Sequence, residues 1–411
     1  MEDFTSGSGA ARSVLIIGAG PAGFSAAAEL RRQGFDGTID LIDPSGEAYD
    51  RPPLSKAYLA GTLDRGALAL AGPDWFQENS VRITAGTAER IAPDSGTVTL
   101  AGGALLHADA LLLATGGTAR KPLFPGASLV HTLRNRDDAD ALRATLGPGK
   151  RLAVIGAGLI GAEVASTAVS LGSAVVLIDP VPVPLVPAFG PELAAHLHGM
   201  HAAAGVETRT GLPVDVVEED EGLAVLMDDG SLTAADAVLA AVGMEPDTAL
   251  AEAAGIRVDG GVLVDARGRT SHPRVFAAGD AVRRTTAGMP ERRNEHWDAA
   301  VRSGQAAAAG ILGQEPEADA VPWFWTDRYG VHAEAVGSLN GKGTTVRRGI
   351  PGPGYVVFQI SPAGALAGAA GIDAGQELRA ARRLIALGAP VDPLELADPA
   401  TDLRRLARSR R

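Results

Sequence analysis

The chain has 411 residues, 46% of them apolar and only 4% aromatic, so two or three domains with cores of Ala, Val and Leu are expected. A formal net charge of -12 argues against bulk nucleic-acid binding. The absence of cysteine excludes disulfides, thiolate metal sites, protein-bound iron-sulfur clusters and redox dithiols, so any redox chemistry must reside in a bound organic cofactor. The start, MEDFTSGSGAARS, has two acids and no apolar signal core and reads as a disordered, tag-like lead. No apolar run approaches membrane-spanning length. A soluble cytoplasmic protein is expected, with neither membrane nor nucleic acid as partner.

Ser13 to Ile17 is a short apolar run that predicts a buried strand. Gly18-Ala19-Gly20-Pro21-Ala22-Gly23 follows, then an alanine-rich helix and a second strand, TIDLID, ending at Asp43. Together they form a dinucleotide fingerprint. Gly18 makes the tight turn, Gly20 admits the pyrophosphate and Gly23 lets helix and strand pack closely. The helix N-terminus favours the anion, and Asp43 can accept from a ribose. Arg51-Pro52-Pro53-Leu54-Ser55-Lys56 is a stiff cationic turn, suited to a phosphate or a flavin ring, with Ser55 expected to cap a short helix. Residues 81–108 read as strands. Leu111 to Ala114 is a buried strand closed by Thr115-Gly116-Gly117, and residues 137–146 predict a helix begun by acids.

Residues 151–179 repeat the opening: a strand, Gly156-x-Gly158-x-x-Gly161, a helix and a strand ending at Asp179. Two such units point to two dinucleotides, a tightly held flavin and an exchangeable nicotinamide. The alternative is a duplication with one structural copy. Glu163 is expected in the first turn of the second helix, where the dipole favours an acid. Residues 180–191, PVPVPLVPAFGP, read as an extended proline-rich connection. His196, His198 and His201 fall on the next helix, but His196 and His198 do not share a face, and no metal site is expected. Residues 214–242 read as strands around an Asp228-Asp229-Gly230 turn. Val275 to Asp280 is an apolar strand leading into Gly279 and Asp280, an acid placed to hold a polyol chain. A helix interrupted around Gly288-Met289-Pro290 should follow, then a return helix over 294–311. A strand-rich last domain starts near Pro322 and ends in two amphipathic or basic helices.

The segments GAGPAGFSAAAELR, RPPLSK, LLLATGG, VIGAGLIGAEVA, GMEP, VFAAGD, NEHWDAAVRSGQAAA and PWFWTDRYG cover nearly the whole chain. In that order they resemble the ferredoxin reductases of the putidaredoxin-reductase type, in the glutathione-reductase fold superfamily, which serve cytochrome P450 and ring-hydroxylating oxygenases. Apoptosis-inducing-factor-like flavoproteins and rubredoxin reductases are wider relatives. The resemblance implies an α/β fold of two Rossmann-like three-layer nucleotide-binding domains plus a small α+β C-terminal domain. Residues 1–116 and 245–320 would bind FAD, 117–244 would bind NAD, and 321–411 would form the interface domain.

By the same resemblance Gly18, Gly20, Pro21, Ala22, Gly23, Asp43, Arg51, Thr115, Gly116, Gly279 and Asp280 serve FAD. Gly156, Gly158, Leu159, Ile160, Gly161, Asp179 and Gly243 serve NADH. Lys56 and Glu163 form a catalytic pair beside the nicotinamide and flavin. Glu295 and His296 bind cofactor, and Trp297, Trp323 and Trp325 line the flavin edge. The implied activity is electron transfer from NADH through flavin to a [2Fe-2S] ferredoxin that feeds a cytochrome P450 or other oxygenase, by a monomer or weak homodimer. The alternatives are an NADH oxidase or monodehydroascorbate-type reductase, and a non-enzymatic redox-sensing flavoprotein. The chain departs from the family in the rigid PVPVP after Asp179 and in the basic RRTTAGMPERR before Asn294. Arg283, Arg284, Arg292, Arg293, Arg302 and Arg328 are read as a cluster that steers an acidic ferredoxin.

Overall fold

Ser13–Ile17 lies in the middle of a five-stranded parallel sheet. The order is Val275–Ala277, Ala110–Leu113, Ser13–Ile17, Thr38–Asp43 and Val81–Ala85. The structure, a computed structural model, describes residues 11–220, 222–317 and 321–409. Val14 and Ile16 face one core, with Ala26, Ala27 and Leu30 of the helix Pro21–Arg32 and Ala307 and Ala308 of the helix Trp297–Ile311. Leu15 and Ile17 face the other, with Ile91, Val98, Val262 and Val275. Burial on both faces explains why this strand is apolar without alternation. The two helices meet closely because position 304 is glycine: a Cβ there would lie 2.1 Å from the Ala22 carbonyl oxygen.

These elements belong to one of two compact units. It comprises the described parts of Met1–Pro52, Asp64–Thr118 and Met244–Asp319. The other comprises those of Pro53–Leu63, Ala119–Gly243 and Ala320–Arg411. In this second unit a four-stranded parallel sheet runs in the order Glu207–Thr210, Ala174–Asp179, Arg151–Ile155 and Ala237–Ala240. Its inner residues Ala153, Ile155, Val176 and Ile178 pack with Val216, Val225 and Met227 of a three-stranded antiparallel sheet. The smaller C-terminal part is a five-stranded antiparallel sheet beginning with Trp323–Arg328. Val356, Phe358, Leu378 and Leu384 form the core on one of its faces, beneath the helix Gly375–Leu387. Phe189, Leu193 and Leu197 pack with Ala333, Ala335, Val357 and Ala370 on the other. Arg348, 7% exposed, ties the end of the chain down by donating to the carbonyls of Leu396, Asp398, Pro399 and Thr401.

Five local expectations need correction. The proline-rich stretch is not extended throughout, since Val186–Ala203 is a kinked helix with Gly190 at φ 73°. Pro187 lies in its first turn and Pro191 begins the segment after the kink, places where no N–H is needed. The segment after Asp280 is not a helix but a hairpin, Val282–Thr286 with Met289–Pro290. Ala287 and Gly288, at φ 51° and 78°, supply the positive φ values of a two-residue hairpin turn. The acid-started helix is shorter, Arg136–Arg143, and opens on a capping box between Asn135 and Asp138. Ser55 caps no helix; it closes the 3-10 turn Pro52–Ser55 and turns its hydroxyl elsewhere. Of the expected lead, residues 1–10 lie outside the described residues, while the Arg12 N–H is fixed to Asp109 at 2.8 Å and Ser13 begins a strand. Among the described residues no helix is long and apolar enough to cross a membrane.

Candidate functional site

The two fingerprints have the same local geometry. Gly18 and Gly156 have φ values of 104° and 99°, and a Cβ would fall 2.1 Å from the Ala114 carbonyl oxygen or 2.5 Å from that of Ala241. At Gly23 and Gly161 a Cβ would lie 1.9 Å from the carbonyl oxygen of Gly18 or Gly156. The Ala19 N–H donates to Asp43 at 3.0 Å, and the Ala157 N–H to Asp179 at 2.8 Å. Each acid therefore holds its own glycine loop, a task the ribose reading omitted. Both helices start on a glycine, Gly20 or Gly158, without a side-chain cap, which leaves their first N–H groups for an anion. Next to Gly158 and Gly243 a Cβ would meet nothing within 4 Å. Next to Gly20 it would meet only the Arg51 guanidinium, at 3.9 Å. Such open glycine faces, one beside a cation, fit dinucleotide phosphates.

Of the other expected cofactor residues of the first unit, Ala22, Thr115 and Gly279 adjoin this loop in the fold. Pro21 is the first helical residue, and the Ala22 Cβ lies 2.9 Å from where a Cβ would stand on Gly279, so the Ala22 side chain serves packing. Gly279 donates its N–H to Ser303 at 2.8 Å, and Asp280 follows it in a 3-10 turn. Thr115 donates to the Asp247 carbonyl at 2.7 Å, while the Asp247 N–H returns to Gly116 at 3.0 Å. Glu295 is exposed and paired with Arg293 at 2.6 Å. Burial holds the His296 imidazole below its usual pKa, against the pull of Asp280. The Trp297 indole N–H donates to Asp50 at 2.7 Å. Sequence reading missed this partner of Trp297, because nothing local links two residues 247 positions apart.

In the second unit Lys56 and Glu163 form an ion pair at 2.7 Å, with side chains 21% and 5% exposed. Glu163 is the fifth residue of the helix Leu159–Ser170, beyond the first turn expected for it. Its carboxylate is held by side-chain partners as well as Lys56: Ser55 Oγ at 2.6 Å and Thr326 Oγ1 at 2.7 Å, with the Asp327 N–H at 3.3 Å. Thr167 donates to the Ser55 carbonyl at 2.8 Å and so fixes the turn. Four donors on one carboxylate keep a buried anion solvated by protein. Neither Ser55 nor Thr326 was singled out as a site residue, although each lies within a motif that was, RPPLSK or PWFWTDRYG.

The aromatic run divides between the two faces of its strand. Trp323 and Trp325 stack at 4.9 Å with an interplanar angle of 24°, and Trp323 packs against the C-terminal core. Phe324 meets Phe189 edge-on at 5.2 Å. Leu159 packs against that second core, while Ile160 is exposed. Arg328 cannot steer a partner, because it is 3% exposed and directed inward with Thr326, two residues before it. His201 is buried, with Nδ1 2.6 Å from the Tyr329 hydroxyl and its pKa pushed down to about 3, chiefly by burial. Among the described residues no group of His, Cys, Asp and Glu could hold a metal ion.

Residues 12–304 match the Pyridine nucleotide-disulphide oxidoreductase family, and residues 323–407 match Reductase C-terminal. The chain is 38% identical over 404 residues, 97% of itself and 98% of the relative, to the ferredoxin reductase component of chlorobenzene dioxygenase from Cupriavidus sp. (strain PS12). It is 34% identical to putidaredoxin reductase of Pseudomonas putida, over 96% of each chain. Among solved structures, the covalent putidaredoxin reductase-putidaredoxin complex matches with a TM-score of 0.89 at 31% identity, over 98% of this chain and 99% of that one. The ferredoxin reductase for the CYP199A2 system from Rhodopseudomonas palustris matches with a TM-score of 0.90 at 31% identity, over 96% and 100%.

Proposed function

The chain belongs to the pyridine nucleotide-disulphide oxidoreductase family, among the ferredoxin reductases of the putidaredoxin-reductase type, and from this we propose that it carries electrons from NADH to a [2Fe-2S] ferredoxin serving a cytochrome P450 or other oxygenase. The observation that carries the reading is the pair of matching glycine cradles, one in each unit, in a chain without cysteine. A disulfide-based reaction is closed to it, whereas two dinucleotides have a place each. Bound FAD supplies hydride acceptance from NADH and one-electron release to the ferredoxin. The protein binds and orients: Gly18, Gly20, Gly23 and Arg51 serve FAD, and Gly156, Gly158 and Gly161 serve NADH. We assign residues 1–116 and 245–320 to FAD, 117–244 to NADH and 321–411 to the interface. Lys56 and Glu163 serve flavin reduction, and Trp297, held by Asp50, serves the FAD side.

The purified protein is expected to be yellow and to bleach when NADH is added without oxygen. It should reduce cytochrome c rapidly only when a [2Fe-2S] ferredoxin is present. Fast turnover with oxygen alone would replace this function by an NADH oxidase.

Gly158→Ala separates coenzyme binding from folding. The backbone there, at φ -68°, suits any residue, and the new methyl meets nothing within 4 Å. It stands, however, where a pyrophosphate must approach. FAD content and melting temperature are expected to stay at the wild-type values, while the KM for NADH rises roughly tenfold, the effect of about 1.4 kcal/mol of lost binding. An unchanged KM would remove Gly158 from the NADH site.

Ferredoxin steering rests on a smaller set of arginines than the sequence offered. Arg283 pairs with Asp259, Arg293 with Glu295 and Arg302 with Asp298, while Arg292 is exposed. Arg292→Glu is expected to raise the KM for an acidic ferredoxin roughly three- to tenfold at low salt, and the difference should shrink as salt screens it. A KM independent of both charge reversal and salt would end the steering proposal.

A further inference from the structure

Glu163 has a second cation within reach of its hydrogen-bond network. Arg328 Nη2 donates to Thr326 Oγ1 at 3.2 Å, and that hydroxyl donates to Glu163 Oε1 at 2.7 Å. Thr326 is fully buried and Arg328 is 3% exposed. The direction of the chain is fixed, because a guanidinium can only donate and a carboxylate can only accept. The Arg328 Nε has no hydrogen-bond partner among the described residues, so this buried cation has few other anchors. Burial lowers its pKa to about 10 and Glu163 opposes that shift, so Arg328 is charged at neutral pH. Neither of the two titratable rings beside it adds a second anion. Tyr329 is pushed up to about 12 and His201 down to about 3, which leaves both neutral, and the Asp327 carboxylate turns to His332 at 2.6 Å. Lys56, Arg328 and Glu163 thus form a cluster of two cations and one anion.

We propose that Thr326 is a positioning residue whose hydroxyl joins the buried Arg328 guanidinium to Glu163, so that the carboxylate is shared and Lys56 retains part of its charge for flavin reduction. The inference rests on the reading that Lys56 and Glu163 serve that step. Without the hydroxyl, Glu163 loses one donor and Arg328 its acceptor. The carboxylate keeps Ser55 and the Asp327 N–H as neutral donors, and Lys56 is then the remaining cation of its network among the described residues. A neutralised lysine stabilises a reduced, anionic flavin less well.

The test uses the FAD-loaded enzyme and the nearly isosteric Thr326→Val, with Thr326→Ala as a second way to remove the hydroxyl should the valine variant fail to fold. The limiting rate of flavin reduction by NADH is expected to fall about tenfold, the scale of one hydrogen bond to a charged group. The equilibrium of bound FAD with a reference dye should shift about threefold toward oxidised flavin, a readout independent of turnover. Thr326→Ser keeps the hydroxyl and is expected to restore both values, which a merely packing role of the methyl would not predict. In a Lys56→Met background the loss of the hydroxyl should have little further effect, since both changes act through one carboxylate. A wild-type rate and equilibrium in folded Thr326→Val or Thr326→Ala, or full additivity with Lys56→Met, would overturn the inference alone. No effect of Lys56→Met itself would bring down the reading beneath it.

Discussion

Lys56→Met is expected to slow flavin reduction by NADH about a hundredfold, roughly 2.7 kcal/mol of barrier, while weakening the fold by only about 1 kcal/mol. The disparity follows from how Glu163 is held. Removing a partner so that a buried charge is left fully orphaned costs about 3–5 kcal/mol. Glu163 would not be orphaned, because Ser55, Thr326 and the Asp327 N–H remain on its carboxylate. Lys56 is also partly exposed, which lowers the loss further. Methionine fills much of the lysine stem and adds no cavity. Single-turnover stopped flow gives the rate, and urea unfolding of the same preparation gives the stability. An unchanged limiting rate would remove the pair from the reaction; a loss confined to stability would make it a structural clamp.

NADH is expected to exceed NADPH by about a hundredfold in kcat/KM, roughly 2.7 kcal/mol. Asp179 lies at the end of the second fingerprint strand, where a ribose is met. Its position is fixed: one carboxylate oxygen takes the Ala157 N–H at 2.8 Å and the other the Val181 N–H at 2.8 Å. A pinned carboxylate cannot swing from a 2′-phosphate. Two unit charges about 4 Å apart repel by about 4 kcal/mol near an effective dielectric of 20, less where the strand end is wetted. No Lys or Arg occurs between Asp179 and Pro191 to receive the phosphate. Asp179→Ala should narrow the ratio. It should also lower efficiency with NADH, because the glycine loop loses its anchor. Stopped-flow reduction over a concentration series of each coenzyme measures both effects. Equal or better efficiency with NADPH would defeat the assignment.

The glycine cradles were legible because their causes are local. Gly18 and Gly23 meet atoms within one βαβ segment or at the adjoining strand, and the chain spells that geometry twice. Of the surroundings of Glu163 only Lys56 was legible, through the resemblance; Ser55 and Thr326 were missed, since they lie 108 and 163 residues from it. Arg328 was misread for a different reason. It was grouped with the other arginines as a steering surface, whereas the period of a strand places 324, 326 and 328 on one face. With Phe324 in a core and Thr326 fully buried, that face points inward. The hairpin after Asp280 was missed because an Ala-Gly turn is a weaker signal than Asn-Gly. The kinked helix was missed because prolines were read as breakers when they occupy first turns.

The order of strands in the first sheet also dictates an order of events on the ribosome. Val275–Ala277 closes one edge of a sheet whose central strand is Ser13–Ile17, and Trp297–Ile311 covers the first fingerprint helix. Every strand of the four-stranded sheet, by contrast, lies between Arg151 and Thr210 or in Ala237–Ala240. At roughly 5–20 residues per second, the segment ending at Leu113 waits on the order of ten seconds or more for its edge strand and covering helix. Its apolar helix face, with Ala26, Ala27 and Leu30, meanwhile lacks its native partner. The region made second can therefore close before the region made first. For that interval the earlier-made segment keeps apolar surface open to a chaperone.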